Sequence, residues 1–219
     1  MNVSMLSRIS RRAAVTRVML LVVALLGSVV AWVKAAPEPD PVPRRWQLDL
    51  EVGPLRIATV DTPGVGPRSY FYLTYKVANS SSEDLLLAPI FEMAGEDVPV
   101  MRAGRGVPAD VTRQLLERLG NPFLQDQISI LGMILRGEEN AKEGLVVWPA
   151  DNLRARDLSI YAMGFSGETR PIEVADAKSG QLRKVLLRKT MMVRYDVPGD
   201  LDGHDSSALP VNESRWILR

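Results

Sequence analysis

Cysteine is absent from the 219 residues, and histidine occurs once, as His204. The first absence excludes disulfides, thiolate metal sites, thiol nucleophiles and the acylated cysteine of a lipoprotein. The second excludes every multi-histidine metal motif. Aromatic residues make up only 6% of the chain. Acidic residues are missing from the first 35 positions, where Arg8, Arg11, Arg12, Arg17 and Lys34 stand unopposed. The formal charge of +1 therefore misleads, because residues 36–219 carry 22 basic against 26 acidic side chains. A mildly acidic body argues against a nucleic-acid partner, whose phosphates are held by clustered Lys and Arg.

What is present begins with a leader. A basic segment precedes Val18–Val33, an almost purely apolar run, and Lys34 closes it. That order is an export signal, with the arginines retained on the cytoplasmic side. The run is long for a cleaved signal and approaches the roughly 20 residues that cross a bilayer. Trp32 and Lys34 suit the membrane interface. Residues 1–35 are therefore read as a hydrophobic helix serving as an uncleaved anchor that meets the membrane through 18–33. A signal cut after Ala35 is the alternative. Residues 36–45 hold four prolines, cannot be helical, and read as a stiff linker.

From Trp46 onward the dominant period is two. Trp46, Leu48, Leu50 and Val52 alternate with polar residues, and Leu55–Val60 follows the Gly53-Pro54 break. Residues 61–67 read as a loop. In Ser69–Ala78, Phe71, Leu73, Tyr75 and Val77 fall on one face, and Tyr70, Tyr72, Thr74 and Lys76 on the other. Further strands are expected at 85–92, 128–135, 145–148, 158–163 and 185–195. One helix interrupts them: Val111, Leu115 and Leu119 recur every four residues, between Pro108 and Gly120. The sum is a mainly β chain, an antiparallel β-sandwich over 46–197 with one short inserted helix, followed by a polar tail at 198–219. Trp216-Ile217-Leu218 is the part of that tail suited to docking on the body.

The stretches Tyr72-Leu73-Thr74-Tyr75-Lys76-Val77-Ala78-Asn79-Ser80, Arg136-Gly137-Glu138 through Gly144-Leu145-Val146-Val147-Trp148, and Leu158–Gly164 resemble immunoglobulin-like domains of uncharacterised exported bacterial proteins. The ending, from Leu182-Arg183-Lys184 to Tyr195-Asp196-Val197-Pro198-Gly199 and Trp216–Arg219, is similar to the same group. The resemblance implies an immunoglobulin-like fold outside the cytoplasm, and it supplies no catalytic residue.

Several chemistries fail on spacing. Asp61-Thr62-Pro63-Gly64 lacks the phosphate-cradling loop that a nucleotide-hydrolysing site needs. Gly164-Phe165-Ser166-Gly167 has Glu168 where a nucleophile elbow requires glycine. Glu138, Glu139 and Glu143 read as solubilising residues on a hairpin tip. The expectation is a binding or structural module of the cell envelope with an envelope protein as partner, no catalysis and no cofactor. Two alternatives remain. A carbohydrate-binding module would use Tyr70, Tyr72 and Trp148 as an outward aromatic platform. A weak calcium-binding or hydrolytic protein would draw on Asp200, Asp202 and Asp205 around His204.

Overall fold

A computed structural model of the chain describes residues 36–96, 98–150, 157–176, 179–197 and 207–219. The hydrophobic leader lies outside the described residues, as do Asp200, Asp202, His204 and Asp205. Among the described residues no helix is long and apolar enough to cross a membrane.

The fold is mainly β. In chain order the strands are β1 (Asp49–Val52), β2 (Arg56–Thr62), β3 (Gly66–Asn79), β4 (Leu85–Leu87), β5 (Ile90–Gly95) and β6 (Val98–Arg102). After helix α1 (Ala109–Leu119) come β7 (Leu124–Gln125), β8 (Gly132–Ile134), β9 (Gly137–Pro149) and β10 (Asp157–Met163). The chain ends with β11 (Thr169–Ala175), β12 (Leu182–Asp196) and β13 (Val211–Leu218). One sheet runs β1-β3-β9-β7 with β2 also paired to β3, and a second runs β11-β12-β10-β5-β6 with β13 also on β12. A two-stranded ribbon joins β4 to β8.

The alternation in β3 builds both of its faces. Phe71, Leu73, Tyr75 and Val77 meet Phe91, Met93, Ile160, Val193 and Tyr195 of the second sheet in one core, the arrangement expected of a β-sandwich. Within that core Tyr75, Phe91 and Phe165 pack ring against ring at centroid separations of 4.7 to 5.9 Å. The opposite face carries a second cluster, in which Tyr70, Tyr72, Val60, Leu145 and Val147 lie beneath Val111 and Leu115. α1 thus forms a third layer. Its 11 residues are too few to be stable alone, and burying each of those two side chains contributes about 1.5–3 kcal/mol. Pro108 starts the helix in an extended conformation, and Gly120 ends it at φ 63°, donating its N–H to the Leu116 carbonyl.

Several expectations are corrected. The 61–67 loop is a tight hairpin, with β2 and β3 paired as far as Thr62 and Gly66. The strand expected at 85–92 breaks at Ala88-Pro89 into β4 and β5. That expected at 128–135 shrinks to β8, because the Asp126 carboxylate accepts the Ile128 and Ser129 N–H groups and folds 126–130 into a turn. Residues 137–144 are strand rather than hairpin tip, extending β9 along β3. The 198–219 tail contributes β13, hydrogen-bonded to β12 from Lys189 to Tyr195.

Candidate interaction site

The three aromatics proposed as a sugar platform are covered: Tyr70, Tyr72 and Trp148 are 1%, 3% and 0% exposed. Tyr70 and Tyr72 do lie on the face opposite the main core, but α1 sits on that face. Trp148 points the other way, into the sandwich core, and its Nε1–H donates to the Met101 carbonyl. The structure therefore separates these residues between two clusters. The continuous apolar run Leu145-Val146-Val147-Trp148 was the available signal, since such a run marks a strand buried on both faces.

Two other features stand out. The first is a buried ion pair. Lys189 Nζ lies 3.0 Å from Glu168 Oε2, with the side chains 4% and 9% exposed. Glu168 Oε1 accepts the backbone N–H of Asp40 at 2.9 Å, and Lys189 donates to the Asp40 carbonyl at 3.4 Å. Arg170 approaches the Asp40 carboxylate at 3.5 Å, and Lys189 sits 5.7 Å from the centre of the Trp216 ring. Burial acting alone would raise the Glu168 carboxyl. The Asp40 N–H, the Lys189 ammonium and Arg170 together outweigh it and hold the group below its ordinary value.

The linker, expected to be a stiff spacer, is thus fastened to the body at Asp40. Leu48 and Gly167 continue the attachment through backbone bonds to Phe165 and Trp46. At Gly167 a Cβ would stand 2.5 Å from the Trp46 indole nitrogen, so a side chain there would displace the Trp46 ring.

The second feature is an exposed apolar strip. Leu86 and Met133 face each other across the β4–β8 ribbon. Leu86 is 64% exposed and Ile128 73%, and Leu131, Met133 and Leu135 are about half exposed. Leu131, Met133 and Leu135 alternate along one face of β8 and its flanks. Beside them Ile128 and Leu131 line a cleft of about 190 Å³, floored by Phe91 and Val146. Tyr75, whose buried hydroxyl has no hydrogen-bond partner among the described residues, also lines it, and burial raises that phenol.

Among the described residues no group of three or more Asp, Glu or His is placed to hold a metal ion. Glu138 and Glu143, on β9, are engaged by Lys76 and Asn121. No protein-family model, no curated protein and no solved structure matches the chain.

Proposed function

We propose that the chain is an exported, non-catalytic binding module of the cell envelope, anchored through residues 18–33, with an immunoglobulin-like domain that holds an envelope protein. The observation that carries the binding role is the apolar strip of Leu86, Ile128, Leu131, Met133 and Leu135. Soluble domains that function alone rarely leave large apolar side chains side by side in water, and contiguous patches of this kind favour association. The export and anchoring roles rest on the charge and hydropathy of the first 35 residues.

Fractionation of cells producing the full chain tests the reading. The expected result is a full-length protein that resists carbonate extraction from membranes and is digested by protease added from outside the cytoplasmic membrane. A chain starting at Ala36 in the soluble fraction overturns the anchor. Protection from protease in intact spheroplasts overturns export. Leu86→Glu with Met133→Glu is expected to leave fractionation unchanged and to abolish crosslinking to the partner.

A further inference from the structure

Residues 38–48 meet one short segment, 165–168, twice. The nearer meeting is a backbone zip. Leu48 donates its N–H to the Phe165 carbonyl at 2.8 Å, Gln47 bridges Ser166, and Gly167 donates to the Trp46 carbonyl at 2.9 Å. Leu48 is fully buried and Trp46 packs against the main core, so this stretch belongs to the body. The farther meeting is a clasp on one residue, Asp40. Glu168 takes its N–H, Lys189 its carbonyl and Arg170 its carboxylate.

Between zip and clasp, Pro41, Val42, Pro43, Arg44 and Arg45 are all exposed, and among the described residues they make no hydrogen bond to the body. Arg44 pairs with Asp40 at 3.5 Å, within the segment itself. Pro41 and Pro43 lack an N–H and favour extended backbone, so the segment holds its shape without support. The two attachments also differ in kind. The zip continues into buried apolar side chains, whereas the clasp is polar, and two of its three contacts span 3.4 and 3.5 Å, long for hydrogen bonds. Pro39, Pro41, Arg215 and Trp216 border a cleft of about 430 Å³, so the segment is not close-packed on β13. Little apolar contact opposes its departure.

We infer that residues 38–45 are a releasable strap, in which Asp40 leaves Glu168, Lys189 and Arg170 while the zip at Trp46–Leu48 stays closed. Extended proline-rich chain covers about 3.1 Å per residue, so release lets Asp40 move as far as about 19 Å from Trp46. A pull arriving from the N-terminal side reaches the body first at Asp40. The consequence rests on the reading that residues 18–33 anchor the chain: release lengthens the tether between membrane and domain without unfolding the domain.

Distances within residues 38–219 test the strap independently of the anchor. The chain has no cysteine, so dye pairs can be placed by substitution. Val42→Cys with Leu186→Cys reports the strap, and Leu186→Cys with Val211→Cys reports the body; the three sites are 72%, 51% and 55% exposed. Time-resolved energy transfer in the full chain in detergent at neutral pH is expected to give one narrow distance for each pair. Asp40→Pro removes the N–H that Glu168 accepts, and should shift and broaden the first distance by up to about 19 Å while the second stays fixed. Warming the chain with Asp40 intact should populate the same longer distances before the body pair changes. A first distance unchanged in Asp40→Pro, or lengthening on warming only in step with the body pair, overturns the strap. A broad first distance with Asp40 intact at room temperature also overturns it, since the clasp would then hold nothing.

Discussion

Removing one partner of the Glu168–Lys189 pair is a severe perturbation, because the other charge stays where water does not reach it. Glu168→Ala removes the carboxylate from beside Lys189, a side chain 4% exposed in the intact pair, and leaves its ammonium the Asp40 carbonyl at 3.4 Å and the Trp216 ring among the described residues. Breaking a buried pair in this way costs about 3–5 kcal/mol. For a domain of this size that is a fall in Tm of about 6–20 °C. Lys189→Met is expected to cost less, since Glu168 keeps the Asp40 N–H and the Arg170 charge and is free to take up a proton. The double variant, Glu168→Ala with Lys189→Met, is expected to be more stable than Glu168→Ala alone, because no stranded charge remains. Urea unfolding of the full chain in detergent at neutral pH, followed by tryptophan fluorescence, measures all three. Trypsin cleavage after Arg44 and Arg45 should accelerate in Glu168→Ala, since the N–H of Asp40 loses its acceptor. A cost below about 1 kcal/mol for Glu168→Ala, the value typical of a surface pair, would refute the reasoning. So would a double variant less stable than either single one.

Three further outcomes follow from the same structure. Glu168 titrates below its ordinary value of 4.5, so its contribution is complete above that pH and is lost as pH falls further and the carboxyl protonates; acid titration of wild type should show a loss of stability there that Glu168→Gln lacks. Trp148→Ala empties the centre of the sandwich core and strands the Met101 carbonyl, and should cost about 3–5 kcal/mol in urea unfolding. Tyr75→Phe removes a buried hydroxyl that has no partner among the described residues, so it should be neutral or stabilising by up to about 1 kcal/mol, and a loss of more than that would show that the hydroxyl is bonded.

Much of the sheet was legible because it is amphipathic. The two faces of β3 were separated correctly by alternation, and Pro108, the leucine spacing and Gly120 bounded α1. Alternation does not say, however, what covers a face. Tyr70 and Tyr72 fall opposite the core, where the pattern allows either an outward ligand platform or a covering element, and it is α1 that closes over them. β13 was hidden for the opposite reason: an edge strand has little to bury, so Val211-Asn212-Glu213-Ser214-Arg215 reads as polar tail until its register with β12 is seen. The charged end of β9 misled in the same way, because Glu138 and Glu143 find partners in Lys76 and Asn121 that are distant in sequence. The Glu168–Lys189 pair left no sequence signal. Each is an ordinary charged residue until β12 and the 165–168 segment meet, and only then is water excluded from both.

The strip of Leu86, Ile128, Leu131, Met133 and Leu135 bears the weight of the proposed binding role, and a photocrosslinking residue at Met133 in living cells tests it most directly. A matched residue at Arg113, on the exposed face of α1, serves as the control. The account predicts one recurrent envelope-protein adduct from Met133, with the full-length chain in the membrane fraction and no such adduct from Arg113. Adducts that are absent from Met133, or identical at the two positions, would contradict it.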